Sequence, residues 1–192
     1  MKKGTIIALA ALLVLALSSF ASASGFVGVG IGIVGLEEGG GAATTRGIIG
    51  TANVDLDLIE KLSLSANGYV EYKKAEGEQP VTINYLVGGY AKYALANLDA
   101  LKLGAVAGVN YNKNFAPIVG DAALDYGAGV FAEQPLGDTG VIYAQGMYWL
   151  KAKGIGGLGG LKFKITENIA VKGQVEYVNK HTLFSIGAGY QF

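Results

Sequence analysis

Acid–base chemistry in this chain would have to start at His181, its only histidine. An imidazole titrates near neutral pH, and it acts as a general base when a carboxylate orients it against a nucleophile. Asp121, Asp125 and Ser185 are the available company. No acidic residue lies close to His181 in sequence, and Ser185 belongs to a stretch of alternating polarity. A solvated histidine in the turn Asn179–Thr182 is the better reading, so no catalytic residue is assigned. One histidine and scattered carboxylates have no metal-ligand spacing, so neither metal nor cofactor is expected. The absence of cysteine excludes thiolate sites, disulfides and a cysteine nucleophile. Gly30-Ile31-Gly32-Ile33-Val34-Gly35 matches the dinucleotide pattern G-x-G-x-x-G, which works only between a strand and the start of a helix. Here the glycines keep a period of two, and the match carries no weight.

The elements that would position such residues begin after an export signal. Lys2 and Lys3 precede an apolar run from Thr5 to Leu17, then the small-residue motif Ala21-Ser22-Ala23. These are the three parts of a secretory signal peptide, with cleavage expected after Ala23 and residues 1–23 removed. The run is shorter than the roughly 20 apolar residues of a membrane helix. Residues 24–192 then form one domain. Without Lys2 and Lys3 the 15 basic residues become 13 against 15 acidic ones, a net charge of −2. That balance gives no nucleic acid a reason to bind.

Half the residues are apolar, yet they are dispersed. From Thr182 to Phe192, Phe184, Ile186, Ala188, Tyr190 and Phe192 alternate with Ser185, Gly187, Gly189 and Gln191. Successive side chains of a strand point to opposite faces, so one face here is wholly apolar. Leu62 to Lys73 and Leu101 to Asn112 repeat the pattern. The rhythm predicts about ten strands, with eight as the alternative, near 25–36, 47–58, 62–73, 81–94, 100–112, 123–135, 140–152, 157–166, 168–179 and 182–192. Such strands match the roughly 9–11 residues that cross a bilayer at a tilt. Short turns alternate with longer polar or glycine-rich segments, as in outer-membrane barrels. Over 141–151 the facing is ambiguous; Ile142, Ala144, Tyr148 and Leu150 are assigned outward to keep Gln145 and Lys151 from lipid.

On the apolar face Tyr72, Tyr111, Tyr126, Tyr148 and Tyr177 fall at strand ends near the longer segments, and Tyr93, Phe163, Tyr190 and Phe192 at the opposite ends. Two aromatic bands around an aliphatic one are what the two lipid–water interfaces select. The predicted fold is all-β, a closed antiparallel up-and-down transmembrane β-barrel.

The ending Ala188-Gly189-Tyr190-Gln191-Phe192 resembles the C-terminal strand signal of bacterial outer-membrane β-barrel proteins. The resemblance extends to the signal peptide and the strand rhythm of the small porin-like and OmpA-barrel-like members. It implies an outer-membrane location, contact with outer-membrane lipid, and reading of Tyr190 and Phe192 by periplasmic chaperones and the barrel-assembly machinery. Such barrels include rim enzymes, the omptin proteases and lipid A-modifying enzymes, which is the alternative that hangs on His181. A soluble lipocalin-like ligand carrier is the other.

The inward face would carry Asp55, Asp57, Glu71, Asp125, Glu133 and Glu176 against Lys73, Lys92, Lys102, Lys151, Lys162, Lys164, Lys172 and Lys180. Buried charges need partners, so mutual pairing that rigidifies the barrel is one expectation. A charged pore lining is the other. Inward glycines such as Gly28, Gly104, Gly127, Gly129 and Gly187 favour it, because ten strands lie between a filled eight-stranded barrel and an open sixteen-stranded one. The functional expectation is a non-enzymatic barrel, either structural or a narrow passive pore for small solutes.

Overall fold

Alternation with a period of two becomes ten antiparallel strands in a computed structural model that describes residues 24–36, 44–73, 82–98, 100–113, 124–178 and 181–192. The strands are β1 (Ser24–Leu36), β2 (Thr44–Ile59), β3 (Leu62–Lys73), β4 (Thr82–Leu98), β5 (Leu101–Lys113), β6 (Leu124–Leu136), β7 (Gly140–Trp149), β8 (Gly154–Lys164), β9 (Ile169–Val178) and β10 (His181–Gln191). Each pairs with the next, and β1 pairs with β10 to close the barrel. The number is ten, not the alternative eight. Closure removes the two edges that an open sheet would expose. The predicted leader, residues 1–23, lies outside the described residues.

The closing seam is pinned at its end by Gly25 N–H donating to Phe192 O at 2.9 Å and Phe192 N–H to Gly25 O at 3.1 Å. Along it, Gly28 faces Gly189 and Gly30 faces Gly187, so this stretch of wall bears no inward side chains. A Cβ on Gly187 would come within 2.6 Å of the Val29 carbonyl oxygen. Only glycine lets the two backbones cross this closely.

Outside, Val29, Ile31, Ile48, Val130, Ile155 and Ile186 are all exposed. An apolar surface all round is untenable in water and is the lipid face of a membrane barrel. The same face carries the exposed rings of Tyr93, Tyr111, Tyr126, Tyr148, Phe163, Tyr177, Tyr190 and Phe192. Tyr85, which the sequence reading passed over, joins them: its ring centroid is 5.9 Å from that of Tyr111. The side chain of Tyr72 lies outside what the structure describes.

One segment departs from expectation. β7 ends at Trp149 instead of 152 and β8 begins at Gly154 instead of 157, with a turn at 150–153 between them. The cause is Asp125 on β6. Its carboxylate accepts the N–H groups of Tyr126 at 2.7 Å, Lys151 at 2.8 Å and Ala152 at 3.0 Å, which pulls the chain out of the ladder. Lys153 completes the turn at φ 50°. Ile142, Tyr148 and Leu150 face outward and no bulge breaks the pairing of β6 with β7. Lys151 is therefore not a lumen charge. It is exposed on the turn, with its ammonium 5.7 Å from the centroid of the outward Tyr126 ring.

Candidate functional site

Polar residues of the alternating pattern are carried to the inside of the barrel, and with them come several aromatics. The interior divides into two halves.

Toward the loop-side ends of the strands, Val34, Ile49, Tyr69, Leu86 and Leu183 form one buried cluster contributed by five neighbouring strands, β10 through β4. A second cluster of Tyr90, Ala94, Val106, Phe131, Met147 and Trp149 lines the wall from β4 to β7. Between them runs a hydrogen-bonded chain. Tyr69 O–H donates to Glu176 Oε2 at 2.5 Å and accepts from Gln174 Nε2 at 2.6 Å. Tyr143 O–H donates to Gln174 Oε1 at 3.2 Å. Tyr69 on β3 and Glu176 on β9 stand four places apart in a ring of ten, so their bond crosses the lumen. A buried carboxyl group tied across the lumen by hydrogen bonds is a rigid strut.

The glycines behave differently from the expectation of open space. Gly104 faces Phe131 across its strand pair, Gly108 faces Tyr90, Gly127 faces Trp149 and Gly160 faces Tyr143. A Cβ on Gly108 would lie 2.8 Å from the Tyr90 ring, and one on Gly127 2.8 Å from the Trp149 ring. Each glycine is a socket that lets an aromatic ring lie flat along the wall, a device that pins register. At Gly129 a Cβ would collide with the Gly146 carbonyl, so no side chain fits there without moving β7.

At the short-turn end the lumen opens into a vestibule of about 410 Å³ lined by charged and polar chains. Lys92 pairs with Glu133 at 3.0 Å and Lys172 with Asp55 at 3.0 Å. Both ammonium groups also lie over the Tyr143 ring, at 6.0 and 5.3 Å from its centroid. Lys102 and Lys162 line the same space, and Asp57 sits at the mouth, where Ser24 Oγ donates to it at 3.2 Å. Lys164 is exposed at the turn-side end of β8.

Of the other residues singled out from sequence, Glu71 and Glu176 are buried near the loop end of the lumen, and Asp125 is buried and committed to the 150–153 turn. Ser185 is half-buried on the bare seam. The side chains of Lys73 and His181, together with Asp121 and Lys180, lie outside the described residues. The inward facing of Tyr69, Tyr143 and Trp149 follows from the strand alternation, while Phe26, Tyr90 and Phe131 were not singled out from sequence. Their signal was available: each sits at an odd or even position shared with the polar face of its strand.

No family model and no curated sequence matches this chain. Solved structures do. A KdgM porin is 9% identical, with 88% of this chain covering 99% of that one at a TM-score of 0.50. Ail, the attachment invasion locus protein of Yersinia pestis, is 11% identical with 88% and 98% covered, at a TM-score of 0.46. Outer membrane phospholipase A from Escherichia coli is 13% identical with 85% and 89% covered, at a TM-score of 0.40. The chain has the fold of outer-membrane β-barrels. A likeness at this level of identity shows the fold and names no activity.

Proposed function

We propose that this chain is exported and assembled into a bacterial outer membrane, where it serves as a structural, non-enzymatic barrel closed to solute flow. The observation that carries the reading is the transverse Tyr69–Glu176 strut between two apolar clusters, which together draw on eight of the ten strands. A narrow pore needs a continuous open path, and the Tyr69–Glu176 bond with the apolar side chains packed around it lies across that path. The exposed aliphatic band with aromatic rings at both ends supports residence in a bilayer. Tyr190 and Phe192, stacked at 6.4 Å on the outer surface, are the groups offered to the assembly machinery. A rim enzyme is less favoured because the Asp125 carboxylate, one of three partners open to His181, is already occupied by backbone N–H groups.

Planar-bilayer recording on the refolded protein tests this. The expected result is no steady conductance at either polarity. Reproducible unitary steps would overturn the closed barrel and restore the passive pore.

A further inference from the structure

At the loop-side ends of β7 and β8 the lipid face finishes on a turn whose backbone is fixed before anything binds. Leu150 N–H donates to Tyr126 O at 2.9 Å, and the buried Asp125 carboxylate accepts from the N–H groups of Lys151 and Ala152. The side chains sort by polarity. Leu150 and Ile155 are exposed beside the outward rings of Tyr126 and Tyr148, while Lys151 and Lys153 are exposed on the turn between them. Exposed aliphatic groups belong against acyl chains rather than water, so the turn straddles the edge of the bilayer.

Tyrosine belts mark the depth of the lipid headgroups. The Lys151 ammonium lies 5.7 Å from the centroid of the Tyr126 ring, which sets it at that depth. Lys153 follows two residues later, where a φ of 50° turns the chain back into β8. The two stems start within roughly 7 Å of each other, less than the screening length of about 8 Å at physiological salt, so both charges act on one headgroup. No carboxylate among the described residues pairs with either lysine. Residues 148–156 include no acid, and the nearest ones on the flanking strands, Asp125 and Glu176, are buried. Asp125 is held by backbone N–H groups and Glu176 by Tyr69.

We infer that the β7–β8 turn is a docking site for anionic lipid, whose headgroup phosphate meets the charges of Lys151 and Lys153 while its acyl chains run over Leu150, Tyr126 and Tyr148. Lysine lays its stem along apolar surface and keeps its charge toward water, which puts both ammonium groups in the phosphate layer. A soluble anion would satisfy the cations alone. The cations share this surface with exposed apolar groups, and a lipid satisfies both. The inference rests on residence in a bilayer and not on the closed lumen.

Local lipid enrichment tests it. The chain has no cysteine, so Ile155→Cys provides a single site for an environment-sensitive fluorophore beside the turn. The labelled barrel is refolded into phosphatidylcholine vesicles, and quenching is compared for phosphatidylglycerol and phosphatidylcholine carrying the same nitroxide high on the acyl chain. Phosphatidylglycerol is expected to be favoured at least about fivefold, the effect of one lysine near an anionic headgroup. Salt at about 1 M, where the screening length falls to about 3 Å, should remove most of that preference. Lys151→Gln with Lys153→Gln should abolish it, and Lys151→Arg with Lys153→Arg should keep it. Each variant is first shown to fold by its heat-dependent shift in SDS electrophoresis. Equal quenching by the two lipids, an unchanged preference in the glutamine pair or a lost one in the arginine pair would overturn the proposal. So would its loss to inorganic phosphate at constant ionic strength, which would make the turn a site for soluble anions. Quenching by neither lipid is a different result, and it would overturn the bilayer reading together with the inference.

Discussion

The two halves of the lumen are made by the same strands and solve opposite problems. Toward the loop end, Tyr69, Leu86 and Leu183 are almost fully buried, and the polar atoms among them are tied across the barrel. Toward the turn end, Lys92, Glu133 and Asp55 are partly exposed and surround open space. The backbone does not dictate the difference, since both halves have the same pairing and the same alternation. It comes from what the strands place at successive inward positions. On β4 the inward order from the loop end is Leu86, Gly88, Tyr90, Lys92, and on β3 it is Glu71, Tyr69, Asn67, Ser65. A barrel of this size can be closely packed at one end and open into a cup at the other.

Placing an arginine at three depths tests that division most severely. In the packed half, Leu86→Arg overfills the space among Val34, Ile49 and Leu183 beside the Tyr69–Glu176 bond, and the refolded fraction should collapse. On the lipid face, Val130→Arg, at a residue 68% exposed, should cost about 2–4 kcal/mol in urea titrations of the folded barrel. In the vestibule, Ser65→Arg reaches water and should cost less than about 1 kcal/mol. Equal losses at the three sites would mean that the interior is not partitioned in this way.

A second contrast concerns how a single residue ends a strand. Asp125 satisfies three backbone N–H groups, two of them in the 150–153 turn. Asp125→Ala leaves those donors without their acceptor, and hydrogen bonds to a charged group are worth about 1.5–3 kcal/mol. The variant should lose about that much stability, with faster amide exchange at Lys151 and Ala152 in the turn. Asp125→Asn should recover part of it. Protection unchanged at both amides would show that the turn is held by other means.

How far these features were legible in the sequence depended on the range of the interactions that make them. Strand number and outward facing follow from alternation within each segment, so Val70, Val130 and Ile186 could be placed without any knowledge of neighbours. The turn at 150–153 could not, because the residue that sets it, Asp125, comes from another strand 26 positions earlier. The space beside the lumen glycines was misjudged for a related reason. Glycines at Gly104 and Gly127 read as space when each strand is considered alone. Only the register shows each of them facing an aromatic ring. With register in hand, that pairing is a pattern a sequence could have been searched for.

The smallest expected effect separates two ion pairs of equal length at the boundary of the cup. Lys92–Glu133 has side chains 11% and 23% exposed, while in Lys172–Asp55 the lysine is only 6% exposed. Both are 3.0 Å apart, so Coulomb attraction alone would rank them equal. Desolvation does not. Removing Glu133 leaves Lys92 over the Phe131 ring, 5.7 Å from its centroid, and still reached by water from the vestibule. Removing Asp55 leaves the more buried Lys172 with the Tyr143 ring but no counter-ion. Truncating one partner of a buried pair strands the other charge, whereas replacing both with apolar groups is close to neutral. Glu133→Gln should therefore cost about 1 kcal/mol or less, in the range of solvated pairs. Asp55→Asn should cost more, and Lys172→Met added to it should recover most of that loss. The check is a double-mutant cycle for each pair in urea, with the coupling energy read directly. Equal couplings would place both lysines in the same dielectric and erase the boundary between the packed half and the cup at β9.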